Sequence, residues 1–129
     1  LDVLLDTSVL IEAERNRDSK LPDGELALSA VCVTEYWKGV ERADGLARRR
    51  AREAFFEAAF GGLPVLAFDG ELARSAARIW AELRRAGATI PPLDLLVAAT
   101  AVEHGLSLAT FDRRHFGRIE GLELIDVYG

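Results

Sequence analysis

Short apolar runs alternate along the chain with longer stretches in which apolar residues recur about every three to four positions, so the pattern predicts strands alternating with helices. Val3-Leu4-Leu5 predicts a strand, and Asp6-Thr7-Ser8 is a set of capping residues that leads into a helix through Val9, Leu10, Ile11 and Ala13. Asn16 to Gly24 is polar, contains Pro22, and predicts a loop. Leu26-Ala27-Leu28 predicts a second strand, with Ser29 capping a helix through Val33, Tyr36, Trp37 and Val40. Asp44 to Phe60 predicts a helix with Ala47, Ala51, Ala54, Phe55 and Ala58 on its apolar side and Arg48, Arg49, Arg52 and Glu53 on the other. Gly61-Gly62 stops it.

Pro64 to Phe68 predicts a third strand. Asp69 caps a helix with Leu72, Ala76, Ile79, Trp80 and Leu83 at core spacing, ended by Gly87. Pro91-Pro92 opens the next helix, which is apolar nearly all round from Leu93 to Val102 and is therefore expected to be buried. Gly105 ends it, Leu106 to Ala109 predicts a fourth strand, Arg113 to Phe116 a short helix, and Glu123 to Ile125 a last strand. Strands separated by helices imply a parallel sheet covered on both faces, with reactive groups outside the carboxyl ends of its strands.

Composition narrows the class. The chain has 129 residues, half of them hydrophobic and 29% charged, which predicts one domain, residues 1–129, able to bury its own core. A lone Cys32 excludes an internal disulfide framework and any thiolate-built zinc finger. No apolar run reaches the roughly 18 residues of a membrane span, and no signal peptide is visible, so a cytoplasmic location is expected. Met is absent and the chain opens inside a strand-like run, so an initiator Met is expected to precede Leu1. The net charge of −5 argues mildly against nucleic-acid binding. A carboxylate cluster that holds cations produces the same total, and all basic residues except Lys20 and Lys38 are Arg.

Four carboxylates from distant segments are placed to form such a cluster. Asp6 follows the first strand, Asp112 the fourth, Glu35 lies in the second helix, and Asp94 in the first turn of the buried one. A set of carboxylates without His or Cys ligands suits hard cations such as Mg²⁺ or Mn²⁺, and bare carboxylates so close would repel. Ions held there can promote phosphoryl displacement by water, with no side-chain nucleophile. Each acid has a plainer alternative. Asp6 could cap the first helix, Glu35 could be solvated, Asp94 could complement the helix dipole, and Asp112 could serve a turn. Glu35 has Val31, Cys32 and Gly39 as helical neighbours, the margin of a buried face with space beside Gly39. Asp94 is the sole charge between Arg85 and Glu103, and the helix N-terminus is expected to keep it ionised.

These segments also resemble a known family in order. Leu5-Asp6-Thr7-Ser8-Val9-Leu10-Ile11 resembles the opening motif of PIN-domain nucleases. Ser29 through Glu35, Pro92 through Ala101, and Thr110-Phe111-Asp112 with Phe116 resemble the segments that follow. At this size the chain is similar to the VapC ribonuclease toxins of toxin–antitoxin pairs. The resemblance implies a PIN-like three-layer α/β sandwich with a central five-stranded parallel sheet flanked by helices. It implies a Mg²⁺- or Mn²⁺-dependent endoribonuclease, a homodimer, an RNA substrate and a VapB-like antitoxin. Asp6, Glu35, Asp94 and Asp112 match the acidic quartet, and Thr7, Ser8 and Thr110 match the polar positions flanking it.

Other signals are weaker. Arg113 and Arg114 adjoin Asp112 and are candidates for contact with RNA phosphates or an antitoxin. Arg48 to Arg52 reads as a solvated helix face, the aromatic residues as mostly core, and His104 and His115 as surface residues rather than ligands. Rival readings are a receiver domain, which lacks its late Lys here, and a haloacid-dehalogenase-like phosphatase, which would want Asp where Ser8 stands. A PIN-fold RNA-processing nuclease without a toxin role, or a non-catalytic metal- or RNA-binding module, completes the set.

Overall fold

The structure is a computed structural model that describes residues 1–127, so the last two positions of the expected domain lie outside the described residues. Strands and helices follow in the order β1 (Val3–Leu5), α1 (Thr7–Arg15), β2 (Leu26–Ser29), α2 (Ala30–Arg42), α3 (Leu46–Phe60) and β3 (Val65–Leu66). Then come α4 (Gly70–Arg85), α5 (Pro92–Glu103), β4 (Ser107–Ala109), α6 (Arg113–Phe116) and β5 (Leu124–Ile125). The strands form a five-stranded sheet in the order β3-β2-β1-β4-β5, with every pairing parallel. Helices flank it in an α/β sandwich, as the alternating pattern requires. Among the described residues no helix is long and apolar enough to cross a membrane.

The register places Leu4 between Ala27 and Leu108, and Leu5 between Leu28 and Ala109. All six are inaccessible to solvent, so β1 is the centre of the core. Full burial of a leucine contributes about 1.5–3 kcal/mol, and such side chains hold the sheet to its helices. The chain grows outward from β1 through β2 to β3, then returns to the other side of β1 as β4. The connections from β1 and β4 therefore diverge, and the carboxyl ends of these two strands form the crevice typical of a strand-order reversal.

Local chemistry sets the element ends. The Ser29 hydroxyl accepts from the Cys32 N–H at 3.0 Å, and the Asp69 carboxylate accepts from the Leu72 N–H at the same distance, so both expected caps form. The helix expected from Asp44 starts at Leu46, because Gly45 has φ +82°, a left-handed conformation outside the helix. The third strand is shorter than expected, Val65–Leu66 alone, since it is an edge strand whose Pro64 has no N–H. The last strand likewise contracts to Leu124–Ile125. Helix α5 buries the consecutive residues Val97 to Ala101, packed on α4 and α2, but its first turn reaches the surface and leaves Leu93 exposed, where burial was expected from Leu93 on.

Two faces differ from expectation. Helix α3 does not bury its alanines; Ala47, Ala51, Ala54 and Ala58 are exposed, and Phe56 and Phe60 turn inward. Phe56 packs 4.9 Å from the Tyr36 ring and 5.0 Å from Trp37, and aromatic area outweighs that of alanine. The turn carries Arg52 inward as well, where its guanidinium pairs with Glu14 at 2.9 Å instead of facing solvent. Helix α4 buries Ser75 with Leu72, Ala76, Ile79 and Leu83, and leaves Trp80 half exposed. The Arg84 guanidinium covers the Trp80 ring at 4.9 Å.

Candidate active site

The chain leaving β1 turns straight into α1 at Asp6, whose own N–H donates to the Ala109 carbonyl on β4 at 2.9 Å. Asp6 occupies the position before the first turn of α1, yet its side chain makes no capping hydrogen bond. Its Oδ2 instead accepts from Ser8 Oγ and from Thr110 Oγ1, each at 2.8 Å, and the residue is buried. Each hydroxyl spends its proton on Asp6 and accepts a backbone N–H in return. Ser8 Oγ accepts from Phe111 at 3.1 Å, and Thr110 Oγ1 from Asp112 at 2.9 Å. The ends of β1 and β4 are thereby laced together, and Oδ1 of Asp6 stays clear of both donors.

Glu35 lies half-buried on the second turn of α2, where its Oε1 accepts from Thr7 Oγ1 at 3.1 Å. The space expected beside Gly39 belongs to another residue, since a Cβ there would stand 3.1 Å from Arg52 Nη1. Gly39 thus admits the guanidinium that pairs with Glu14, not an occupant beside Glu35.

Asp94 is half-buried in the first turn of α5, and Asp112 is the residue that caps α6. Burial holds the Asp94 carboxyl above its ordinary pKa, and Asp6 adds to this, followed by Asp112 and Glu35 after the opposing effect of His115. The carboxyl is raised despite its place at a helix N-terminus, which favours the ionised form. Asp6, Asp112 and Glu35 are thus all near enough to Asp94 for their charges to act on it. Burial also pushes the Cys32 thiol up to about 11, an effect that Ser29 and Thr7 partly offset by hydrogen bonding.

His115 does not behave as the surface residue expected of it. Its Nδ1 lies 2.5 Å from Asp112 Oδ2 and 3.2 Å from Asp94 Oδ2. Its backbone N–H also donates to Asp112 Oδ1 at 3.3 Å, which holds the turn in place. The signal was available: a capping acid and the residue three positions on share one face of the first turn. The donor atoms of Asp94, Asp112 and His115 all lie within 4.8 Å of one another, close enough to serve one ion. Carboxylate oxygens in excess, with one imidazole nitrogen, suit a divalent cation.

The two arginines separate. Arg113 is engaged away from the carboxylates, with Nη1 2.6 Å from Asp126 Oδ1 in an exposed pair. Arg114 lines a groove of roughly 380 Å³ with Thr89, Ile90, Pro91, His115 and Arg118, directly beside the acidic cluster.

Comparison with known proteins matches residues 3–122 to the PIN domain. The chain is 35% identical to Ribonuclease VapC1 of Rickettsia felis, across 98% of this chain and 97% of that protein. It is 30% identical to the tRNA(fMet)-specific endonuclease VapC of Shigella flexneri, across 98% of both. Among solved structures, a chain of the DNA-bound VapBC from Salmonella typhimurium superposes with a TM-score of 0.85, at 27% identity and 98% coverage of both chains.

Proposed function

The chain belongs to the PIN-domain family, in its VapC branch, and we propose that it is a metal-dependent endoribonuclease that serves as the toxin of a toxin–antitoxin pair. The observation that carries this reading is the cluster of Asp94, Asp112 and His115, whose donor atoms are spaced for one cation beside the crevice between β1 and β4, with Asp6 and Glu35 near enough to act on Asp94.

Bound Mg²⁺ or Mn²⁺ supplies the positive charge that activates water and stabilises the developing charge on a phosphodiester. The chain's own residues do the rest. Asp94 and Asp112 would hold the ion, with Asp6 and Glu35 adding negative charge beside them. Ser8 and Thr110 fix the Asp6 carboxylate through hydrogen bonds from opposite sides of the crevice. Thr7 fixes Glu35 in the same way. Arg114, in the adjoining groove, is placed to meet an RNA phosphate or an antitoxin's acidic group, whereas Arg113 must first leave Asp126. Attack by water leaves 5′-phosphate and 3′-hydroxyl ends.

The Shigella relative's name directs the first choice of substrate to tRNA. The Salmonella assembly supports an antitoxin of the VapB kind as partner. Trp80, Leu46, Leu93 and Phe111 are large apolar side chains left exposed, which suits a chain that works with a second copy and a partner in the cytoplasm. The test is end-group analysis of RNA cut by the purified protein with Mn²⁺ or Mg²⁺. Products with 5′-phosphate ends support the reading, and 2′,3′-cyclic phosphates contradict it. Growth arrest on expression, relieved by a co-encoded partner, separates a toxin from an RNA-processing enzyme.

A further inference from the structure

The acidic quartet alone describes an all-oxygen site with no preference between Mg²⁺ and Mn²⁺. The geometry around His115 adds a nitrogen. Neighbouring ligands on an octahedral ion with bonds of about 2.1 Å stand about 3 Å apart. His115 Nδ1 stands 3.2 Å from Asp94 Oδ2, a ligand's separation, and 2.5 Å from Asp112 Oδ2, a direct contact that need open only by about half an ångström to admit an ion between them.

That place is built into the chain. The turn carrying His115 is capped by Asp112, closed by the Gly117 N–H on the Arg113 carbonyl at 2.9 Å, and anchored by Phe116, which is fully buried. The side chain is 38% exposed, open enough to turn toward water, yet it directs Nδ1 at the acids.

We propose that His115 is a metal ligand through Nδ1, and that with Asp94 and Asp112 it forms a mixed nitrogen–oxygen site favouring Mn²⁺ over Mg²⁺. Mg²⁺ takes oxygen donors and retains its waters, whereas first-row transition ions accept imidazole readily. The ring then carries its hydrogen on Nε2 and presents a free pair at Nδ1. This rests on the reading of the acidic cluster as a metal centre.

The test uses the full chain loaded with Mn²⁺, in wild-type, His115→Gln and His104→Gln forms. Gln is polar and of similar reach, so the variant removes the imidazole nitrogen with little change in bulk. Pulsed electron paramagnetic resonance reads ¹⁴N coupling to Mn²⁺, and competition titration reads the ratio of Mn²⁺ to Mg²⁺ affinity. The expected result is a ¹⁴N coupling in wild type and His104→Gln that is absent from His115→Gln, with the affinity ratio reduced about tenfold in that variant alone. Mn²⁺ bound without ¹⁴N coupling, or an affinity ratio unchanged by His115→Gln, overturns the proposal and leaves the metal centre standing. Failure of wild type to bind either ion overturns both.

Discussion

Thr110 Oγ1 donates to Asp6 Oδ2 at 2.8 Å, joining residues 104 positions apart in the chain. The same oxygen accepts the Asp112 N–H at 2.9 Å, so one hydroxyl orients an acid after β1 and sets the backbone of an acid after β4. Both partners depend on it, because Thr110 and Asp6 are buried and neither finds water in exchange.

Thr110→Val keeps the shape and removes the hydroxyl. It is expected to cost about 1–3 kcal/mol in stability, since Asp6 loses a donor and the Asp112 N–H an acceptor. RNA cleavage is expected to fall about 10- to 100-fold, as for loss of a group that orients a ligand. Thr110→Ser should recover most of both. Urea denaturation and cleavage rates check the pair, and an unchanged rate in Thr110→Val would remove the orienting role.

Asp94 titrates above its ordinary value of 3.8 in the folded chain. The folded state therefore binds the proton more tightly than the unfolded state does. Without metal, stability falls as pH rises from about 3.8 through the raised value, and the deficit is complete above it. Asp94→Asn removes the deficit. Solvent reaches part of the carboxylate, so the expected gain at neutral pH is only about 0.5 kcal/mol, or roughly 2 °C in Tm. The gain should vanish in acid and in saturating Mn²⁺, while cleavage is lost. Thermal melts across pH check this, and a variant less stable than wild type at neutral pH would contradict it.

The Glu14–Arg52–Tyr36 cluster ties α1, α2 and α3 together away from the acids. Arg52 Nε donates to Glu14 at 3.0 Å, the Tyr36 hydroxyl donates to the same carboxylate at 2.9 Å, and the guanidinium lies over the Tyr36 ring. Arg52→Ala is expected to cost about 2–4 kcal/mol, because it leaves the partly buried Glu14 carboxylate without a cation, held by the Tyr36 hydroxyl alone. Arg52→Lys should restore only part, since an ammonium cannot reproduce the planar fork. Metal affinity should remain unchanged in folded Arg52→Lys, as read by titration with Mn²⁺.

Cys32 is inaccessible to solvent, and its thiol is pushed up to about 11, so almost no thiolate exists at neutral pH. Native protein is expected to resist a disulfide-exchange reagent, and one equivalent should react in urea. Rapid labelling of the native form would contradict this packing.

Much of this arrangement was legible in the chain. Caps at Ser29 and Asp69, the all-round apolar helix after Pro92, and strand runs closed by Asp6 and Thr110 depend on neighbours a few positions away. The placement of Asp6 and Asp112 near one another was legible because a parallel sheet brings every strand's carboxyl end to one edge. What stayed hidden depends on distant partners. The inward face of α3 follows from Glu14, 38 positions from Arg52, and from Tyr36 and Trp37, which draw Phe56 in. Trp80 counts as apolar in any periodicity, yet Arg84 provides it a lid at the surface. His115 was misread because its spacing from Asp112 is local, but its meaning comes from Asp94, carried by a different helix.

The most direct measurement is cleavage of total RNA by purified wild type and Asp6→Asn, each with Mg²⁺, with Mn²⁺ and with EDTA. Asp6→Asn retains the shape of the side chain and its place between Ser8 and Thr110, so the fold should persist by circular dichroism. Discrete cuts by wild type are expected with either ion and none with EDTA, with a loss of at least about 100-fold in Asp6→Asn. Cleavage that survives EDTA, or that a folded Asp6→Asn performs as well as wild type, would contradict a metal-dependent nuclease centred on these carboxylates.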